Sequence, residues 1–417
     1  MTVWVRGAGR GSQSDQGDVG ISRGKLVALG LLAAFAPTAI DLYLSAFPEM
    51  TADLGAEPSG IQMSLAGFYV GAALGQPVFG PLSDRFGRRG PLLVGLLICV
   101  LASAVAALAP TLAVLVAARV VQGFSAAAGM VIGRAMVSDL ATGNSAAKAL
   151  SLMMVISGVA PVLAPTLGSI LGHLSNWRGI LWGLAVFAAA LLLLVALGVK
   201  ESHTRERRAQ LKADASGLGR RSALGSRLFL GNVFTMAFSA AVMFAYVAAS
   251  PFFYQGMFGM DPVQYGLMFG ANAVVIVTIN WYSARLIGRF SVRAILVAGV
   301  SVMVAASLVF LLLGLAGIGN GWLIVPLFVA VAFSGAVLPK AAALALAEVP
   351  HVAGTGSAVL GTVQFLVGAA VTPLVSLAGE HTAVPFAIVL ASAAAIMGIS
   401  CLAARPARVL ADGARQR

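Results

Sequence analysis

The chain has 417 residues, of which 59% are hydrophobic and 10% are charged. Soluble proteins carry about 25% charged residues, so this composition excludes a water-soluble globular protein and predicts an integral membrane protein. The net charge of +12 does not indicate nucleic-acid binding, because the basic residues form short clusters between long apolar segments. The four histidines lack ligand spacing and no phosphate-binding glycine loop occurs, so we expect no metal, no cofactor and no ATP-driven activity.

Twelve apolar segments are each long enough to cross about 30 Å of hydrocarbon as a helix. Their approximate bounds are 26–47, 60–81, 89–109, 112–133, 148–172, 177–199, 226–249, 264–286, 292–315, 322–345, 355–378 and 383–404. They predict an all-α integral membrane protein with two six-helix bundles, 25–199 and 226–404. A basic cytoplasmic linker, 200–225, joins the bundles, and cytoplasmic tails are predicted at 1–24 and 405–417.

The distribution of basic residues predicts the orientation in the membrane. With both termini in the cytoplasm, all but three of the 27 Lys and Arg residues face inward, as the positive-inside rule requires. The three exceptions are Arg119, Arg178 and Lys340. We therefore expect a multi-pass protein of the cytoplasmic (inner) membrane.

Asp41 is an ionisable residue inside span 1, and Arg119 lies at a similar depth in span 4. Charges at membrane depth are costly and are functional candidates by default. The two side chains are expected to pair directly or through water. One interpretation is a static ion pair that orders the first bundle. The other is a carboxylate that takes up and releases a proton as its surroundings change.

Span 2 ends in the loop Gly80-Pro81-Leu82-Ser83-Asp84-Arg85-Phe86-Gly87-Arg88-Arg89. This order, G-x-L-x-D-R-x-G-R-R, resembles the loop 2–3 signature of the major facilitator superfamily. The resemblance implies two bundles around a central cavity and a cytoplasmic gate. In that gate Asp84 is expected near the start of span 11, and Arg85 or Arg88 near Asp139, which follows Arg134. These contacts would close the inner side in an outward-open state.

Two further segments resemble motifs of the same superfamily. Leu115-x-x-x-Arg119-x-x-Gln122-Gly123 is similar to the span 4 motif of proton-coupled members, which implies a coupling role for Arg119. Span 5 resembles the motif of drug:proton antiporters through four residues: Gly158, Pro161, Pro165 and Gly168. The alternative is a kinked helix that only packs against its neighbours.

The segment Asp41-Leu42-Tyr43-Leu44-Ser45-Ala46-Phe47-Pro48 resembles the D-x-Y-L-P-A-x-P of Bcr/CflA-type exporters, the bicyclomycin and chloramphenicol resistance group. Ser45 replaces the usual proline of that group. Trp177-Arg178 before span 6 is also similar to that group.

Polar and aromatic residues within the spans are the candidates for the substrate cavity. They are Tyr43, Tyr69, Gln76, Asn232, Thr235, Phe238, Ser239, Tyr246 and Lys340. A cavity with such a lining suits apolar or amphipathic ligands, although ordinary interhelical packing would use the same residue types. For Lys340, both snorkelling to the interface and a cavity role that selects against cations remain open.

Together these features predict a proton-coupled antiporter that exports an uncharged or anionic lipophilic drug, with the chloramphenicol class expected. It is expected to act as a monomer, to contact drug, protons and lipid but no nucleic acid, and not to be an enzyme. The alternatives are a metabolite or sugar uptake symporter on the same fold and a non-transporting membrane receptor.

Overall fold

The computed structural model describes residues 23–140, 143–202, 224–317, 321–349, 353–377 and 382–404. Within these ranges the chain is helical and contains no β-strand. The α-helices are α1 (Arg23–Asp41), α2 (Phe47–Leu54), α3 (Pro58–Phe86), α4 (Arg89–Ala107), α5 (Leu112–Leu140), α6 (Gly143–Leu174), α7 (Trp177–Gly198), α8 (Arg227–Pro251), α9 (Pro262–Arg285), α10 (Val292–Leu315), α11 (Ile324–Ala332), α12 (Ser334–Ala347), α13 (Ala353–Val371) and α14 (Val384–Ala403). Most of the predicted tails and linker lies outside the described residues, so the domain boundaries stay predictions.

Two of the predicted spans are interrupted. In span 1 the helix α1 ends at Asp41, and the chain continues through a 3₁₀ turn, Leu44–Ala46, into α2. Span 10 consists of α11 and α12, separated at Phe333. Such interruptions expose backbone carbonyl groups that need partners inside the protein.

Eleven stretches of the described chain are long and apolar enough to cross a membrane. The helix α3 is not among them, although its 29 residues exceed the roughly 20 that a span needs. Polar residues such as Gln62, Ser64 and Gln76 lie along α3 and are buried inside the protein. With α3 included, the helices correspond to the twelve predicted spans.

The helices pack as two groups. α1 to α7 contact one another, α8 to α14 contact one another, and the main contacts between the groups join α3 to α13 and α6 to α9. Small residues permit close helix approach. For example, a Cβ atom on Gly123 of α5 would lie 2.0 Å from the carbonyl oxygen of Phe68 in α3.

The two ends of the bundle differ in charge. The end where α1 begins and α3 meets α4 carries Arg85, Arg88 and Arg89, together with Arg285 at the end of α9 and Arg289 just after it. We call it the basic end, and the other the opposite end. The positive-inside rule predicts that the basic end faces the cytoplasm.

Candidate functional site

Asp41 is the last residue of α1 and lies at the break in span 1. Its side chain is 4% exposed, and within the described chain no hydrogen bond or ion pair to its carboxylate is found. Tyr69 of α3, Tyr246 of α8 and Tyr265 of α9 lie within electrostatic range of it. The carboxylate therefore sits where the two bundles meet, without a partner among the residues that the structure describes.

Arg119 of α5 is fully buried and reaches the same break. Its Nη2 donates to the carbonyl oxygen of Ala39 at 2.9 Å, and its Nη1 donates to Gln122. Its guanidinium carbon lies 4.5 Å from the ring centre of Tyr43 and 4.6 Å from that of Phe68. The carbonyl of Ala39 is one of the last four of α1, which have no partner in their own helix, so the cation stabilises the end of α1.

The expected direct pair of Asp41 and Arg119 is not formed in this conformation. Ion pairs in the described chain join Arg88 to Asp84 and Asp139, and Arg178 to Asp53. Arg119 and Asp41 instead meet the same helix end, and the carbonyl of Ala39 takes the contact that the carboxylate was predicted to make.

The predicted span 5 motif lies in α6, and its residues are not equivalent. A Cβ atom on Gly168 would lie 1.7 Å from the carbonyl oxygen of Leu42, whereas one on Gly158 would meet nothing within 4 Å. Pro161 and Pro165 lie inside the helix between them. Gly168 thus lets α6 pack directly on the break that follows Asp41.

The same part of α6 also contacts the second bundle. Ser169 Oγ donates to the carbonyl of Pro262 at 2.6 Å, and Thr166 Oγ1 donates to that of Gly266 at 3.3 Å. Both acceptors lie at the start of α9. α6 therefore links the break in span 1 to the opposite end of the second bundle.

The substrate candidates of span 2 lie on the α3–α13 contact. The ring of Tyr69 lies 4.4 Å from Phe244 and 5.9 Å from Phe365, and its hydroxyl has no partner. A Cβ atom on Gly361 of α13 would lie 1.9 Å from Gln76 Oε1. Nearer the opposite end, Gln62 Nε2 donates to the carbonyl of Ala248 at 2.9 Å and to Ser376 Oγ at 2.8 Å.

Most side chains of the predicted polar stripe of span 7 make their contacts within their own bundle. Asn232 and Thr235 donate to carbonyl groups one turn earlier in α8, and Ser239 contacts Met303 Sδ of α10 at 3.8 Å. Phe238 is half-buried in the core. Only Tyr246, whose ring stacks on Phe269 at 5.3 Å, lies near Asp41.

At the basic end, Arg88 organises the loop between α3 and α4. Its Nε donates to Asp139 at 2.9 Å, and its Nη1 donates to Asp84 at 2.5 Å and Ser83 Oγ at 2.7 Å. Burial opposes the charge of Arg88, but hydrogen bonds and attraction from Asp139 and Asp84 raise its pKa above the usual value. Glu201 accepts from the backbone N–H groups of Arg88 and Arg89.

The other residues of the predicted gate either shape this loop or lie on its surface. Gly87 has φ of 96°, a left-handed value that favours glycine, whereas Gly80 has room for a Cβ atom. The guanidinium of Arg85 lies over the ring of Phe86, and Arg134 is exposed. Asp84 contacts Arg88 and is 61% exposed, and no hydrogen bond or ion pair joins it to the described start of span 11.

Hydrogen bonds and ring contacts between the two bundles, among the described residues, lie in the opposite half and the middle of the molecule. The structure is therefore closed at the opposite end. A cavity of about 600 Å³ remains there, lined by both bundles, including Ser45, Glu49, Gln255 and Asp261.

Sequence reasoning did not identify several residues of this arrangement. Phe244 and Phe365 gave no functional signal in the sequence, because single aromatic residues in apolar spans normally belong to the hydrophobic core. Glu201 did carry a signal, since it is an acid at the start of a basic linker. Gln122 stood within the span 4 motif but was not assigned a role.

Two helical bundles, of which the first contains a broken helix with a buried carboxylate, are typical of a membrane transporter. The model of the Major Facilitator Superfamily matches residues 29–373, and the chain belongs to that superfamily. It is a multi-pass membrane transporter and, like its family, not an enzyme.

Relatives agree with this assignment. The uncharacterized MFS-type transporter YdgK of Bacillus subtilis is 37% identical, over 87% of this chain and 90% of that protein. The bicyclomycin resistance protein homolog of Haemophilus influenzae is 28% identical, over 86% and 90% respectively. The multidrug resistance protein MdtL of Shewanella oneidensis is 27% identical, over 91% and 95%.

Among solved structures, a D-xylose-proton symporter superposes with a TM-score of 0.71 at 17% identity, covering 89% of this chain and 95% of that one. A likeness at this identity shows the fold alone. The resemblance to the bicyclomycin resistance group, predicted from the sequence, agrees with the names of the relatives.

Proposed function

We propose that this chain is a proton-coupled antiporter that exports a lipophilic drug across the cytoplasmic membrane by alternating access, with chloramphenicol-class antibiotics as the expected cargo. The observation that carries the proposal is the buried, unpartnered carboxylate of Asp41 at the break in span 1. The relatives named for bicyclomycin and multidrug resistance support a drug as cargo. The proton gradient drives transport without a cofactor, and the protein acts as a monomer with both termini in the cytoplasm.

Asp41 carries the proton in this proposal. An ionised carboxylate buried without a partner costs several kcal/mol, so we assign the protonated form to the conformation closed at the opposite end. Loss of the proton leaves a charge that needs a cation. Arg119 is the cation at the same helix end, and the contact that it would give up is the one with the carbonyl of Ala39.

This exchange of partners links the proton to the gate. If Arg119 leaves Ala39 for Asp41, the end of α1 loses its stabilising cation and the break moves. Leu42 packs directly on Gly168, so α6 moves with it. The bonds from Ser169 and Thr166 to α9 then break, and the opposite end opens. Phosphorylation or nucleotide chemistry is not needed at any step.

The loop after α3 supplies the second gate. In the present conformation Arg88 holds Asp84 and Asp139 within the first bundle, and the exposed face of Asp84 remains available to the positive end of the α13 dipole. We propose that this contact forms when the basic end closes. With the basic end in the cytoplasm, the present conformation is inward-facing.

Inverted membrane vesicles test the proposal. An acidic lumen is expected to drive accumulation of radiolabelled chloramphenicol, and a protonophore is expected to abolish it. Accumulation driven instead by an alkaline lumen would indicate symport. Binding of the drug without any gradient-driven movement would favour the receptor alternative.

A further inference from the structure

Lys340 is a buried cation in the second bundle. It lies in the middle of α12, and its side chain is 4% exposed. Nζ donates to Ser283 Oγ at 2.5 Å and to Asn280 Oδ1 at 3.2 Å, both on α9. The ammonium group therefore does not snorkel to the basic end, and it is held inside the bundle by two neutral oxygens.

No acid in the described part of the second bundle balances this charge. Its described acids are Asp261, which caps the start of α9 at the opposite end, and Glu348. Glu348 follows Lys340 by eight residues, about 12 Å along a helix. An ammonium group away from water needs an anionic partner, so the protein leaves one position for an anion.

The surroundings of Lys340 form a polar seam between α9 and α12. Asn272, Ile276, Asn280 and Ser283 recur on one face of α9, and a Cβ atom on Gly335 of α12 would lie 2.2 Å from the carbonyl of Ile276. Within this seam Asn272 Oδ1 and Ser334 Oγ are buried without a hydrogen-bond partner. Asn280 is exposed, so the seam reaches the protein surface beside Lys340.

The three polar groups match an acidic ligand. The ammonium has a third N–H to give, the Asn280 amide can donate after rotation, and the Ser283 hydroxyl can donate as well. Charge-assisted bonds of this kind are stronger than bonds between neutral groups. Inside the membrane the two positive charges of Arg119 and Lys340 also exceed the one acidic group of Asp41. This balance favours the binding of anions over the binding of cations.

We propose that Lys340, with Asn280 and Ser283, binds an acidic group, such as a carboxylate, on a lipophilic cargo. The proposal rests on the proposed function for its claim that the ligand is cargo. It predicts that an acidic group raises the affinity of a lipophilic compound above that of an uncharged compound of the same shape.

The test compares 1-naphthoate with 1-naphthamide, which differ in charge but little in shape. Their affinities are measured for the full-length protein in lipid nanodiscs without a pH gradient. Wild type is expected to bind the acid at least tenfold more tightly than the amide. Lys340→Met should remove the preference for the acid and leave the affinity for the amide unchanged. Lys340→Arg should retain most of the preference for the acid. The exposed Arg289→Met serves as the control.

A second variant, Asn280→Leu, keeps the test decisive if Lys340→Met does not fold. It should lower the affinity for the acid several-fold more than the affinity for the amide. Equal affinities in wild type, or a preference that survives in Lys340→Met, would overturn the subsite. Proton-driven export of an uncharged drug together with no acid preference would overturn the subsite alone. Acid preference without proton-driven export would count against the proposed function alone.

Discussion

The contact between Gly168 and the break in span 1 gives the most decisive prediction about coupling. In Gly168→Ala, the new Cβ atom would lie 1.7 Å from the carbonyl oxygen of Leu42. Real Cβ contacts essentially never fall below 3.0 Å, so α6 and the break must separate by at least 1.3 Å. Overpacking of this kind costs about 1–3 kcal/mol, which corresponds to about 5- to 150-fold in an equilibrium.

This cost falls on the conformation that is closed at the opposite end, because α6 also holds α9 there through Ser169 and Thr166. Spin labels at Ala52 and Trp322, exposed residues of the two bundles at the opposite end, measure the closure. Gly168→Ala should shift the distance distribution toward longer values and reduce drug efflux at least fivefold.

Gly158→Ala is the matched control within the same motif. A Cβ atom at that position meets nothing within 4 Å, and alanine favours a helix over glycine by about 1 kcal/mol. It should leave the distances and efflux as in wild type. If both variants behave alike, the link from Asp41 through α6 to the gate is refuted.

Three other predictions use the same structure. Arg88→Met removes the ion pairs of Arg88 with the nearly buried Asp139 and with Asp84 and should destabilise the protein by about 3 kcal/mol. Thermal unfolding in detergent measures this loss, and a loss no larger than that of the exposed Arg289→Met would contradict the network. Gln62→Leu removes two hydrogen bonds between the bundles, each worth about 1 kcal/mol. It should shift the ratio of open to closed molecules, read from the Ala52–Trp322 distances, toward the open state by about 30-fold, and unchanged distances would exclude Gln62 from the closure. Tyr69→Phe removes a buried hydroxyl that has no partner and keeps the ring contact with Phe244, so the thermal midpoint should stay or rise, and a clear fall would mean that the hydroxyl is bonded.

The fold was predictable because long apolar segments and short basic loops follow directly from the properties of the bilayer. The twelve spans agree with the helices to within a few residues in most cases. The breaks in spans 1 and 10 were not predicted, since Asp41 and Phe333 interrupt helices without a proline or glycine at the break itself. Tertiary contacts, such as Arg119 with the carbonyl of Ala39, decide where those helices stop.

The candidate site was predictable only in part. Asp41, Arg119 and Gly168 were found because charge, depth and motif spacing are visible in the sequence. Asp41 was expected to pair with Arg119 directly or through water, and the direct pair is not formed in this conformation. The contact of Arg119 with the carbonyl of Ala39 was not predicted, because backbone carbonyl groups at a helix end leave no sequence signal. Likewise, the period of the span 7 stripe shows that Asn232, Thr235 and Ser239 share a face, but not that α10 covers Ser239.

The central claim is that Asp41 carries the exchanged proton, and proton movement on addition of drug tests it most directly. Inverted vesicles with an acidic lumen are given chloramphenicol, and the lumen pH is followed with a fluorescent dye. Wild type and the exposed control Glu57→Gln should release protons from the lumen, and Asp41→Asn, folded and inserted, should release none. Drug-dependent release from Asp41→Asn equal to that of wild type would contradict the account and move the coupling site elsewhere.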